Sequence, residues 1–99
     1  MTHTVTLVSN VYVSKTEALT ALSNVFDREV NTTDPANAVI GLEGGVVLSI
    51  EVPKFGEDLP LTLDLTGPDK AQVVRVSSDV ITTVGRWLGW QLRVVGGQE

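Results

Sequence analysis

Leu61-Thr62-Leu63-Asp64-Leu65-Thr66 alternates apolar and polar residues without a break. Successive side chains of a β-strand point to opposite faces. This period of two therefore predicts a strand with Leu61, Leu63 and Leu65 inward and Thr62, Asp64 and Thr66 in water. Upstream, Val46 to Val52 predicts its partner, with Val46, Leu48, Ile50 and Val52 inward and Ser49 and Glu51 outward. A loop from Pro53 to Pro60 joins the two. Pairing across that loop opposes residues whose numbers sum to about 113. Asp64 then faces Ser49, and Glu51 lies diagonally from it on the same wet face. One apolar and one polar face per strand is the pattern of an antiparallel sheet covered on one side only.

Working outward, Glu43-Gly44-Gly45 predicts a hairpin turn, with glycine available for positive φ, and Ala38 to Leu42 the strand before it. Thr4 to Val13 also alternates. Val5, Leu7, Val11 and Val13 share one face, and Tyr12 lies on the polar one. Ser14-Lys15-Thr16-Glu17 fits a capping box, in which Ser14 accepts from the Glu17 N–H and Glu17 reaches back. Beyond it, Ala18, Leu19, Leu22, Val25, Phe26 and Val30 recur every three or four residues, a helix over Lys15 to Val30. Asn31 to Pro35 is the expected stop.

Gly67-Pro68-Asp69 predicts a second helix start, with Pro68 at the first helical position and Asp69 near the positive end of the dipole. Val73, Val76, Val80, Val84 and Trp87 keep helical spacing. The spacing favours one helix, although the segment is rich in β-branched residues. In the alternative, Ser77-Ser78-Asp79 breaks it, leaving 72–76 as a strand. Gly89 closes the helix, and Trp90 to Val95 is the last strand, with Trp90, Leu92 and Val94 on one side. Trp87 and Trp90 both read as core residues.

The expected order is β-α-β-β-β-α-β in a single domain, residues 1–99. The fold class is α+β: a two-layer sandwich of a mainly antiparallel four- to five-stranded sheet with two helices on one face. This layout resembles a split-βαβ plait with one extra strand, a likeness of architecture that carries no function.

Composition narrows the chemistry. Of the 99 residues, 42% are hydrophobic and 19% charged, enough apolar content for a packed core. There is no cysteine, and His3 is the only histidine, so thiolate metal sites and a serine–histidine–aspartate triad are set aside. Motifs for nucleotide, zinc or acyl-transfer chemistry are absent. The expectation is no enzyme, no cofactor and no metal. Ser9, Gly41 and Ser77 are the few small or polar inward positions on which a ligand cavity could draw.

The formal net charge is −5. Glu43, Glu51, Glu57, Asp58, Asp64 and Asp69 fall in one stretch whose only base is Lys54, while the rest of the chain is balanced. Direct nucleic-acid binding and anionic membranes are disfavoured by that sign. With no leader-like start and no long apolar run, the expected location is cytoplasmic. Either the acidic stretch is a solvated face that aids solubility, or it complements a basic partner. Glu51, Asp64, Glu57 and Asp58 are the candidate partner-binding acids. Tyr12 is a candidate anchor, and so is Phe55 unless it folds back onto the core. The leading expectation is a small inhibitor or immunity-type protein that neutralises a basic-surfaced toxin or enzyme. The alternatives are an assembly protein that forms a homodimer through its sheet, and a small-ligand-binding or enzyme module.

Overall fold

The computed structural model describes residues 2–31, 38–51 and 60–97. Its strands are β1 (His3–Val8), β2 (Val30–Asn31), β3 (Val39–Gly41), β4 (Val47–Glu51), β5 (Thr62–Gly67) and β6 (Arg93–Gly97); its helices are α1 (Lys15–Phe26) and α2 (Lys70–Leu88). All six strands join one sheet in the order β2-β3-β4-β5-β1-β6, every neighbouring pair antiparallel. The four strands β4-β5-β1-β6 and the two helices make the expected split-βαβ plait. It is extended at one end by two short strands, one more than the sequence suggests.

The alternation in β5 is realised. Leu63 and Leu65 are fully buried, with Leu61 buried just ahead of them, while Thr62, Asp64 and Thr66 are half-exposed. Ser49 opposes Asp64 and Glu51 opposes Thr62, the register read from the two alternating patterns. Val5 and Leu7 of β1 and Leu48 and Ile50 of β4 line the same inner face. α2 lies over β1 and β5, and α1 over β2, β3 and β4. Helix α2 is continuous through Ser77-Ser78-Asp79. Val73, Val76, Val80 and Val84 are all buried, and burial of this stripe outweighs the weak helix propensity of valine. The Ser77 hydroxyl donates to the Val73 carbonyl at 2.7 Å, so the serine is satisfied inside the helix.

Both helix starts are capped by side chains. The Glu17 N–H donates to Ser14 Oγ at 3.1 Å. The return contact differs from the expected box: Glu17 Oε1 accepts from the Ser14 hydroxyl rather than from its backbone N–H. Ser14→Ala is expected to cost about 1 kcal/mol in urea unfolding, because it strips the acceptor from an otherwise orphan amide. At α2 the N-cap is Asp69, whose carboxylate accepts from the Ala71 N–H at 3.0 Å. Pro68 therefore lies one residue ahead of the cap, not at the first helical position.

Four boundaries depart from the sequence reading. Helix α1 stops at Phe26, not Val30. Asp27 takes the left-handed conformation (φ 53°, ψ 47°), and the Asp27 and Arg28 N–H groups turn back to the Asn24 and Ser23 carbonyls. Val30 is thereby released to β2. The expected stop at 32–35 lies outside the described residues. Strand β1 ends at Val8, not Val13, because the Ser9 hydroxyl accepts from the Val11 N–H at 3.2 Å and turns the chain. Since β1 ends there, the last strand begins at Arg93, opposite Val8, and not at Trp90. The Gln91 N–H donates instead to Asn10 Oδ1 at 2.9 Å. Strand β6 then runs through Gly96 and Gly97, past the expected end at Val95.

Between β3 and β4, Glu43–Gly45 forms a single 3-10 turn with Gly44 and Gly45 at φ 69° and 76°, as the hairpin reading requires. No helix among the described residues is long and apolar enough to cross a membrane.

Candidate protein-binding face

Among the described residues, the two helices cover one side of the sheet and leave the other open. Thr4 and Thr6 of β1, Thr62, Asp64 and Thr66 of β5, and Val47 and Ser49 of β4 occupy the open side. Their side chains are short. Cross-strand hydrogen bonds fix part of it. Thr4 and Thr66 share a hydroxyl–hydroxyl contact of 3.1 Å, and the Thr6 hydroxyl donates to Asp64 Oδ1 at 2.6 Å. Such a short bond to a carboxylate is charge-assisted, and it holds Asp64 in one orientation.

Asp64 sits mid-strand on β5, with β4 on one side and β1 on the other. These three central strands carry two acids, Glu51 and Asp64, and no lysine or arginine. The register brings the Glu51 backbone to the position diagonal to Asp64; its side chain lies outside the described residues, as do Phe55, Glu57 and Asp58 entirely.

The acidic stretch does not form one patch among the described residues. Glu43 stands at the 3-10 turn and pairs with Arg75 of α2 at 3.6 Å. Asp69 is the N-cap of α2, and Asp64 is on the open face. Each described carboxylate of the stretch is thus engaged within the chain, by Arg75, by the Ala71 N–H and by Thr6 respectively. Proximity in sequence placed them together; the turn and the helix start carried two of them away from the sheet face.

Tyr12 is 64% exposed, but on the β1–α1 connection rather than on a strand face. The two tryptophans separate. Trp90 is half-buried against the core, whereas Trp87 is 70% exposed, contrary to its expected core position. Helical phase gives Trp87 a direction, but it lies in the last turn of α2, past Val84, the last fully buried residue of the helix. There it lines a groove of about 530 Å³ with Ala21, Asn24, Val25 and Leu88. Val94 was also expected inward and is 55% exposed, because α2 lies over β1 and β5 and β6 is beyond it. The exposure of Trp87 and Val94 has no signal in periodicity, which reports a side and not whether anything covers it.

The small inward polar residues build no open cavity chemistry. Ser9 and Ser77 bond to backbone groups within four residues, and Gly41 lies in β3 at the level of Val47, on the open side. Among the described residues no buried side-chain polar atom lacks a partner, and no group of three acidic or histidine side chains is gathered that could hold a metal. A dimple of about 140 Å³ between α1, the 3-10 turn and α2 has an apolar floor of Phe26, Leu42, Val76 and Val80, with Arg28, Glu43 and Asp79 at its rim. No protein-family model matches the chain, and no curated protein matches it in sequence.

Proposed function

We propose that the chain is a non-catalytic protein-binding module whose open sheet face docks on a basic-surfaced partner, in the manner of a small acidic inhibitor or immunity-type protein acting inside the cell. One observation carries the reading. Asp64 stands in the middle of the side of the sheet that the helices leave open, oriented by Thr6, on three strands that carry no lysine or arginine. A carboxylate so placed attracts a cation and disfavours an anion, and steering of this kind acts mainly on association rate. Tyr12, large and exposed at one end of the sheet, supplies an anchor for the complex once formed. Glu51, Glu57, Asp58 and Phe55, whose side chains lie outside the described residues, are further contact candidates.

The test is kinetic, with cationic nucleases as a panel of partners. Reversing Glu51, Glu57, Asp58 and Asp64 to lysine adds two charges at each site and takes the formal net charge from −5 to +3. Against a partner that binds the parent chain, the association rate is expected to fall about tenfold or more and to lose its salt dependence. Asp64→Asn, which keeps an oxygen for Thr6, isolates the charge at the centre of the face. Tyr12→Ala is expected to raise the dissociation rate instead. An unchanged association rate in the reversed variant would reduce the acidity to a solubility feature.

A further inference from the structure

We propose that β6 is a homodimer seam, at which two copies of this chain pair antiparallel, edge to edge, through Arg93–Gly97. The sheet has two ends, and they are unequal. One is β2, of which two residues are described, a short ladder for a neighbour to extend. The other is β6, five residues paired to β1 on one side and, among the described residues, to no strand on the other. The backbone groups on that outer side are left to water or to another strand. Of the usual shields β6 has a bulge at Val95 and one charge, Arg93 at its start, but no proline and no lysine. Val94 and Val95 are 55% and 51% exposed, so the edge is apolar as well as unpaired.

The strand's own sequence argues for a second copy as the occupant. In an antiparallel pair centred on Val95, Val95 meets its symmetry mate, Val94 meets Gly96 and Arg93 meets Gly97. Like charges directly opposed are destabilising. Here each arginine instead lies across from a residue with no side chain, and the valines gather at the twofold. An axis normal to the sheet makes the contact isologous, so assembly closes at two subunits. It also keeps both helix layers on one side and both open faces uncovered on the other, so the seam does not compete with the docking proposed above.

The seam is short. A register shift between Thr6 and Leu7 leaves Val95 without a partner on β1, and a bulge of this kind kinks its strand. The ladder it allows buries less than the roughly 800 Å² per partner of a standard stable interface. The dimer is therefore weak and concentration-dependent.

The test needs the chain alone. Sedimentation equilibrium across micromolar to millimolar concentrations is expected to show the mean mass rising toward twice that of the monomer. The double variant Val94→Lys/Val95→Lys is expected to remain monomeric throughout, because charged edge residues oppose strand addition. Both positions are half-exposed, so its thermal unfolding is expected to stay close to that of the parent. Because the chain lacks cysteine, Val95→Cys places a lone thiol at the twofold. Directly opposed strand residues have Cα atoms about 4.5–5.5 Å apart, within disulfide range. Mild oxidation is expected to cross-link Val95→Cys and to spare Val74→Cys, an equally exposed valine on α2. A monomer mass at every concentration, a dimer that persists in the lysine variant, or equal cross-linking at both positions would each overturn the seam. If the lysine variant fails to fold, the two cysteine variants decide.

Discussion

Leu63→Ala is expected to lower stability by about 2–5 kcal/mol, read as a fall in the urea midpoint at unchanged slope. Leu63 is fully buried, and the register places Leu7 of β1 on one side of it and Ile50 of β4 on the other, both buried. Truncation removes three heavy atoms from a site that no neighbouring element can close, since β1, β4 and β5 hold one another in hydrogen-bonded register. The loss has two parts, transfer of the missing atoms and the cavity that remains. For a domain of this size, with total stability of about 5–15 kcal/mol, a change at the upper end leaves a visibly unfolded fraction. Thr62→Ala, one residue away on the open side, is expected to cost within about 1 kcal/mol. Among the described residues its hydroxyl makes one long contact, 3.4 Å to the Pro60 carbonyl. Equal costs at 62 and 63 would mean that the two faces of β5 are misassigned, and Asp64 would then not stand on an uncovered surface.

The faces of β5 and β4 were legible because burial and side-chain direction share a period of two, and because a slip of one residue would turn every leucine into water. Ser14 and Glu17 were legible for a different reason: a cap is a contact within three residues and needs no knowledge of the rest of the fold. The end of α1 was not. Val30 continues the phase of Leu22 and Phe26, and the actual stop is Asp27, a residue that tolerates the left-handed conformation without announcing it. Trp87 and Val94 failed together for one reason. Each has the correct phase for the core, but Trp87 lies past Val84, the last fully buried residue of α2, and Val94 lies on β6, beyond the strands that α2 covers. Strand order, which puts β6 at an edge, follows from two long-range crossovers and leaves no mark in local pattern. The acidic stretch shows the same limit on the functional side. Six acids close in sequence look like one surface, yet Glu43 is drawn to Arg75 and Asp69 to a helix start, which leaves Asp64 as the described acid of the open face.

Gly67→Val is expected to cost about 1–3 kcal/mol, and Gly41→Ala to be neutral or stabilising by up to about 1 kcal/mol, although both glycines close a strand. Sequence pattern treats the two alike. At Gly67 the chain leaves β5 for α2 through Pro68 and Asp69, and the first turn of the helix comes down close to the sheet. A Cβ built there would lie 3.0 Å from Val73 Cγ2 and 3.2 Å from Val46 Cγ2. Val46 and Val73 are fully buried, so neither can swing aside without disturbing the core. The two further methyl groups of valine must displace α2 or force strained rotamers, which is the cost of overpacking a filled site. Gly41 is exposed, its φ is not in the left-handed region, and no described residue lies within 4 Å of a Cβ built on it. Alanine there only reduces the freedom of the unfolded chain. Thermal unfolding separates the two cases, because 1 kcal/mol corresponds to about 4–8 °C in a domain of this length. A Gly67→Val protein that melts with the parent would mean that α2 docks less tightly on β5 and Val46 than these contacts require.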